Sequence, residues 1–171
     1  MARSQIVLVA ILLLVGGLVF KIEPYLHIFN VEVGDRAPGF HLASAESGVG
    51  VRLEDYEGKY VLLNFWATWC QPCVDELPSL IALQNALQDN GLVVVGVSVD
   101  ENQEAYQGFL DSFGVNFPTA RDPERTVSTR YGTQKYPETY LIGPDGVVAR
   151  KYIGAENGMR PEVVNHLRSL L

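Results

Sequence analysis

Five residues, Trp69-Cys70-Gln71-Pro72-Cys73, limit the folds open to this chain more than any other stretch. They include the only two cysteines of the chain. The apolar run 60–66 before them is rich in β-forming residues and predicts a strand, and the stretch after them predicts a helix. A strand that delivers Cys-x-x-Cys to a helix N-terminus is typical of a dithiol redox site. We therefore predict thiol-disulfide chemistry at this junction.

The two cysteines are not equivalent in this arrangement. Cys70 lies where unpaired backbone N–H groups and the helix dipole stabilise a thiolate, so it is the predicted attacking thiol. Cys73 lies one turn inside the helix and is predicted to resolve the mixed disulfide. A zinc site needs about four ligands. The chain has three histidines, His27, His41 and His166. They are scattered without ligand spacing, so we predict no metal site.

The stretch around the cysteines resembles the thioredoxin superfamily, whose signature is Trp-Cys-x-x-Cys after a central strand. Pro78 matches the kinking proline eight residues after the first cysteine. The sequence from Leu53 to Cys70 is similar to the TlpA/ResA-type thiol-disulfide oxidoreductases. The pattern Gly-Asp-x-Ala-Pro-x-Phe-x-Leu, at residues 34–42, is shared by that group and the peroxiredoxins. The resemblance covers residues 33–171.

This resemblance implies an α/β thioredoxin-like fold, in which a central mixed sheet is flanked by helices and an N-terminal β-hairpin is added. The hairpin is predicted to join residues 40–43 to 49–53. The other predicted strands are 60–66, 92–99, 117–120, 138–143 and 147–153. The predicted helices are 71–90, 102–113, 123–131 and one that starts near 161 and ends the chain.

The N-terminus predicts one transmembrane helix. Residues 5–20 carry no charge and approach the roughly 20 residues of a full span. No Ala-x-Ala closes the run, so we expect an uncleaved anchor over 1–22, in the membrane through 5–22, rather than a cleaved signal peptide. A linker, 23–32, and a thioredoxin-like domain, 33–171, follow. Arg3 favours a cytoplasmic N-terminus with the domain outside, at the outer (periplasmic) face of a bacterial cytoplasmic membrane.

Three residues beside the cysteines are implied substrate-binding residues. Pro137 matches the superfamily's cis-proline, which lies opposite the disulfide just before a strand. A cis-proline leaves the backbone of the preceding residue, here Tyr136, free to pair with an extended substrate. Trp69 matches the family's tryptophan that shields one side of the site. Glu138 extends the likeness to the Pro-Glu pair of the DsbE/CcmG group.

Glu76 is the third predicted catalytic residue. It follows Cys73 by three residues and shares its helix face. TlpA/ResA-type proteins have a glutamate here, which implies a role in moving protons and in raising the thiol pKa by its charge. The alternative is a solvated glutamate in the first turns. Asn64 stands where thioredoxin proper has a buried aspartate, which makes Glu76 its replacement, and Asp75 should point away.

The resulting hypothesis is a membrane-anchored oxidoreductase that reduces protein disulfides through Cys70 and Cys73. The resemblance implies apocytochrome c disulfides as substrates, in cytochrome c maturation, a transmembrane thiol donor as electron source, and no cofactor beyond the redox-active disulfide. A net charge of −7 argues against nucleic acid as a partner.

One alternative to this hypothesis is a peroxiredoxin-type peroxidase. That class needs Pro-x-x-x-Thr/Ser-x-x-Cys, but Leu63 stands at the proline position, seven residues before Cys70, and Ala67 at the Thr/Ser position, three residues before it. The other is a non-enzymatic thioredoxin-like binding module with a fixed disulfide.

Overall fold

The computed structural model describes residues 11–14, 16–17, 30–43, 50–156, 158 and 160–171. The strands are β1 (His41–Leu42), β2 (Val51–Arg52), β3 (Tyr60–Trp66), β4 (Leu92–Ser98), β5 (Thr119–Arg121), β6 (Glu138–Ile142) and β7 (Val148–Ile153). The helices beyond residue 30 are α1 (Gln71–Leu87), α2 (Gln103–Phe113), α3 (Thr126–Tyr131) and α4 (Pro161–Leu170).

Five strands form one mixed sheet in the order β5-β4-β3-β6-β7. The central strand β3 pairs in parallel with β4 and antiparallel with β6. Strand β5 runs parallel to β4, and β7 runs antiparallel to β6. Every residue of β4 is buried, as its continuous apolar run predicts for a strand covered on both faces. The predicted mixed sheet is confirmed, and the observed strand ends lie within two residues of the predicted ones.

Helices cover both faces of this sheet. On one face α1, α2 and α4 pack through leucines and a tyrosine, among them Leu83, Tyr106 and Leu167, against alternate β3 residues such as Leu62. On the other face, α3 and the segment before β1 pack against the intervening β3 residues, such as Leu63. The period of two along β3 therefore divides the core into two layers.

Helix α1 carries the cysteine pair and holds it against the sheet. Pro78 lies inside it, as predicted. The helix is followed by a 3-10 turn, Gln88–Asn90, and then by Gly91 at φ 98°, a left-handed conformation that favours glycine. Gln84 fixes the helix to β4, because its Oε1 accepts a hydrogen bond from the Val94 backbone N–H at 2.8 Å.

The added N-terminal pair of strands is present but short. His41 pairs with Arg52 and Leu42 pairs with Val51, antiparallel and separate from the five-stranded sheet. The turn between them, residues 44–49, lies outside the described part of the chain.

A segment before β1 runs along β7, and we call residues 31–36 the edge segment. The Gly34 N–H donates to the Val148 carbonyl at 2.8 Å, and the Val148 N–H donates to the Asp35 carbonyl at 2.9 Å. Val31 is buried, and its N–H donates to the carbonyl of Tyr131 at 3.0 Å. Contacts with the folded domain therefore begin by residue 31.

Most of the predicted anchor, 1–22, and of the predicted linker, 23–32, lies outside the described residues. Residues 11–14 and 16–17 are helical. Within the described part of the chain, none of the helices combines the length and hydropathy that crossing a membrane requires.

Candidate active site

The two cysteines form a disulfide at the start of α1. Their Cα atoms are 5.2 Å apart. Cys70 is the N-cap residue of the helix, and the N–H of Cys73 lies 3.3 Å from Cys70 Sγ. An N–H at this place can donate to a Cys70 thiolate once the disulfide is reduced, which supports the prediction that Cys70 attacks. Both side chains are buried in the oxidised state, with residue exposures of 6% for Cys70 and 3% for Cys73.

Trp69 and the loop before β6 form the surface beside the disulfide. Trp69 is 61% exposed, and its ring meets the edge of Tyr136 with centroids 6.1 Å apart. The Tyr136–Pro137 peptide bond is cis, as predicted. Phe65, near the C-terminal end of β3, pairs with Glu138 at the start of β6. The loop before β6 therefore lies at the same end of the sheet as the turn that leads from β3 to the cysteines. The structure brings the three predicted substrate-binding residues together, and their roles stay predictions.

Glu76 is buried, so the alternative of a solvated surface glutamate is wrong. Only 5% of the residue is exposed. Its Oε1 accepts a hydrogen bond from Asn64 Nδ2 at 2.7 Å, and its Oε2 accepts one from the backbone N–H of Glu156, also at 2.7 Å. Asn64 Nδ2 also donates to Thr139 Oγ1 at 2.8 Å. Asn64, which stands where thioredoxin has a buried aspartate, is therefore in direct contact with Glu76.

This environment changes the protonation of Glu76. Burial raises its pKa from 4.5 to about 8, and the hydrogen bond from Asn64 only partly opposes the rise. Because this pKa lies above neutral pH, the protonated form of the carboxyl predominates at pH 7. The charge effect predicted from the sequence thus belongs to a minor form at neutral pH, and the main form is a proton donor. Asp75 is exposed and accepts from Gln71 Nε2 at 2.8 Å, pointing away as expected.

A groove gives access to this buried carboxyl. It has a volume of about 390 Å³ and lies between the first turns of α1 and the chain at residues 155–156. Its walls include Glu76, Ser79 and Glu156.

Glu138 is a buried acidic residue on the other side of Pro137. Its Oε1 accepts a hydrogen bond from the Tyr140 hydroxyl at 2.5 Å and lies 3.3 Å from Lys151 Nζ. Burial, followed by the hydrogen bond with Glu138, raises the pKa of Tyr140 far above its usual range. Tyr140 is therefore a hydrogen-bond donor at any working pH, and Glu138 has partners that satisfy its charge.

The sequence reasoning missed Asp100, which lies just beyond β4 and is 3% exposed. Its carboxylate accepts hydrogen bonds from the loop that leads to Cys70. The available signal was an acidic residue directly after a buried strand parallel to β3, because the carboxyl ends of parallel strands meet at one edge. Among the described residues, no group of three or more His, Cys, Asp or Glu is arranged to hold a metal ion.

Similarity to known proteins agrees with this geometry. The model of the AhpC/TSA family matches residues 33–151. The thiol-disulfide oxidoreductase ResA of Bacillus subtilis (strain 168) is 38% identical over 125 residues, which cover 73% of this chain and 69% of that protein. The ResA of Geobacillus thermodenitrificans (strain NG80-2) is 36% identical over 166 residues, or 95% of this chain and 92% of the relative.

Solved structures show the same fold. A chain from Chlorobium tepidum described as a thiol:disulfide interchange protein DsbE superposes with a TM-score of 0.72 and 30% identity, over 82% of this chain and 96% of that one. A Bacteroides thetaiotaomicron chain described as a protein disulfide isomerase superposes with a TM-score of 0.74 at 26% identity, over 82% and 91%. Since these similarities span the strand, the disulfide and the helix that carries it, the chain belongs to the AhpC/TSA family and, within it, to the ResA-type thiol-disulfide oxidoreductases.

Proposed function

We propose that this oxidoreductase works as a reductant of protein disulfides at the outer face of the cytoplasmic membrane, where residues 5–22 anchor it. The observation that carries the proposal is the Cys70–Cys73 pair at the start of α1, with a buried carboxyl one turn further on. The dithiol is itself the redox group, so the reaction needs no added cofactor.

The reaction begins with the reduced enzyme. The Cys70 thiolate attacks one sulfur of a substrate disulfide, that S–S bond breaks, and a mixed disulfide forms while the departing sulfur takes up a proton. Cys73 then loses its proton and attacks Cys70 Sγ. The second substrate sulfur leaves and is protonated in turn. Two electrons and two protons pass to the substrate, and the enzyme is left with the Cys70–Cys73 disulfide.

Glu76 supplies the proton exchange in this scheme. Because its pKa is about 8, both protonation states are populated near neutral pH. The ionised form can accept the proton of Cys73, and the protonated form can return one to a departing sulfur. Asn64 and the Glu156 N–H hold the carboxyl in place.

The proposed partners follow from the family. Relatives share a ResA name, and a structural neighbour is described as DsbE. We assign apocytochrome c disulfides, in cytochrome c maturation, as the substrate and a transmembrane thiol protein as the electron donor. The Pro137–Glu138 pair, which resembles the DsbE/CcmG group, supports this assignment.

Trapping of mixed disulfides tests the proposal. Cys73→Ala in the full chain should accumulate covalent complexes, because Cys70 can attack but no thiol releases the product. Cys70→Ala is the matched control and should trap little, since Cys73 lies inside the helix. Trapped proteins that contain Cys-x-x-Cys-His would support cytochrome maturation.

Three results would contradict the proposal. Equal trapping by Cys70→Ala and Cys73→Ala would reverse or remove the assignment of the attacking thiol. Trapping by neither variant, together with no insulin reduction by the wild type, would favour the non-enzymatic binding module. Turnover of peroxide would favour the peroxidase.

A further inference from the structure

Asp100 is a buried carboxylate that binds the loop carrying Trp69 and Cys70. It is 3% exposed and stands two residues beyond the end of β4. The backbone N–H of Thr68 donates to its Oδ2 at 2.9 Å, and the Thr68 hydroxyl donates to its Oδ1 at 2.7 Å. The Ser98 hydroxyl donates to Oδ2 at 2.6 Å. Both oxygens are thus engaged, and two of the three donors belong to Thr68.

Thr68 is the centre of a short turn between β3 and α1. The carbonyl of Trp66, at the start of the turn, accepts from the Val99 N–H at 3.0 Å. At its end the Cys70 N–H donates to the carbonyl of Ala67 at 3.2 Å. Asp100 contributes the side-chain contacts that join the middle of the turn to the neighbouring strand. The next two residues after Thr68 are the exposed tryptophan and the attacking cysteine.

We propose that Asp100 is a positioning residue for disulfide exchange. By holding Thr68 through two hydrogen bonds, it sets where Cys70 Sγ lies relative to the Cys73 N–H and where Trp69 lies relative to Tyr136. Asp100 is given no proton-transfer step, because it acts through Thr68. The inference rests on the proposed role of Cys70 as the attacking thiol.

The position of Cys70 Sγ matters because disulfide exchange depends on its alignment with the sulfur that it attacks. A sulfur displaced by about 1 Å can lose on the order of 100-fold in rate. Charge-assisted hydrogen bonds to a buried carboxylate are short and directional, so they are suited to holding a loop in one place. A neutral amide of the same shape has only one acceptor oxygen, so its NH₂ group keeps a contact only where the Thr68 or Ser98 hydroxyl turns to accept, and the charge that shortens these bonds is lost.

The test compares Asp100→Asn with a matched control in the full chain. Asp100→Asn should lower kcat/KM for insulin reduction by roughly tenfold or more. It should also move the pH profile of Cys70 alkylation, because Sγ would no longer lie in line with the Cys73 N–H. Thr68→Val, which removes only the hydroxyl, should give part of the loss, and Thr68→Ser should restore rates to within about twofold.

Asp122→Asn is the control. Asp122 is 1% exposed and accepts from the N–H and hydroxyl of Thr126 and from the N–H groups of Val127 and Ser128 at the start of α3. It is a buried carboxylate of the same kind that does not bind the turn before Cys70. We expect Asp122→Asn to lower stability and to leave the pH profile of Cys70 alkylation unchanged.

Three outcomes would overturn the inference. They are an unchanged exchange rate in Asp100→Asn, equal losses in Asp100→Asn and Asp122→Asn, or equal rates in Thr68→Val and Thr68→Ser. If Asp100→Asn does not fold, the two Thr68 variants decide the question. Failure of the proposed function is a separate result, namely full insulin reduction by Cys70→Ala.

Discussion

Replacing Glu76 by glutamine should make the protein more stable at alkaline pH. Burial raises the pKa of the Glu76 carboxyl from 4.5 to about 8. A group whose folded pKa is raised binds its proton more tightly in the folded state. Its contribution to stability is therefore fully present below about pH 4.5 and is lost as the pH rises to about 8. Glutamine of the same shape carries no such ionisation.

The size of the effect follows from the two pKa values. A tenfold difference in proton affinity corresponds to about 1.4 kcal/mol. From about pH 5 to about pH 8.5, the wild type should lose roughly 3 to 4 kcal/mol of unfolding free energy relative to Glu76→Gln. Glutamine cannot accept from both Asn64 and the Glu156 N–H. The variant therefore also loses about 1–3 kcal/mol of unfolding free energy, by an amount that does not vary with pH.

Urea unfolding of the oxidised proteins measures this difference. In the oxidised state Cys70 and Cys73 do not titrate. Any pH-dependent difference in unfolding free energy between wild type and Glu76→Gln therefore comes from Glu76. The unfolding free energy of each protein is measured at several values between about pH 5 and about pH 8.5. Asp75→Asn is the matched control, because Asp75 is the neighbouring carboxylate and is exposed. Its effect should be within about 0.5 kcal/mol at every pH.

A constant difference between wild type and Glu76→Gln across this range would refute the reasoning. It would mean that Glu76 ionises in the folded protein much as it does in the unfolded chain. The buried carboxyl would then be a fixed charge, and its proposed part in proton exchange would fail with it.

Three further predictions concern other parts of the chain. Trp69→Ala should lower kcat/KM for insulin reduction and change the urea unfolding free energy by less than about 1 kcal/mol, because the side chain is exposed; a normal rate would remove Trp69 from the substrate surface. Gln84→Leu should cost about 1–3 kcal/mol in urea unfolding, because it leaves the Val94 N–H buried without its partner; an unchanged midpoint would contradict this. The full chain should stay in membranes at alkaline pH with its intact mass, and a soluble form that begins near residue 18 would contradict the anchor.

The parts of the fold that were predictable are those with local signals. The apolar run of β4, the glycine at 91 and the Cys-x-x-Cys after β3 each act over a few residues. Pro137 was placed correctly because a family motif marks it. Contacts between distant residues were not accessible in this way. The hydrogen bond from the Thr68 N–H to Asp100 spans 32 residues, and that from the Glu156 N–H to Glu76 spans 80. They depend on which strands are neighbours and on how a loop returns to α1.

Burial of Glu76 shows the same limit at a single residue. Its position on the helix face of Cys73 was readable from spacing, and so was its likeness to the family's glutamate. The loop at residue 156 that covers it lies far away in sequence. Because that loop and β3 both contact the carboxyl, the direction of its pKa shift depends on tertiary structure.

The edge segment also decides where the chain can be shortened. Strand β7 is the last strand of its sheet, and a bare edge offers unpaired N–H and C=O groups to other molecules, a known route to aggregation. Residues 34–36 occupy the beginning of that edge, and the carbonyl of Val31 accepts from Lys151 Nζ at 3.1 Å. The family match begins only at residue 33. A chain trimmed to that boundary would keep residues 34–36 but lose the Val31 contacts with Tyr131 and Lys151 that tie the edge segment to the domain. The edge of β7 should then be uncovered more often and the chain should self-associate more readily, whereas one that begins before Asn30 should stay monodisperse in size-exclusion chromatography.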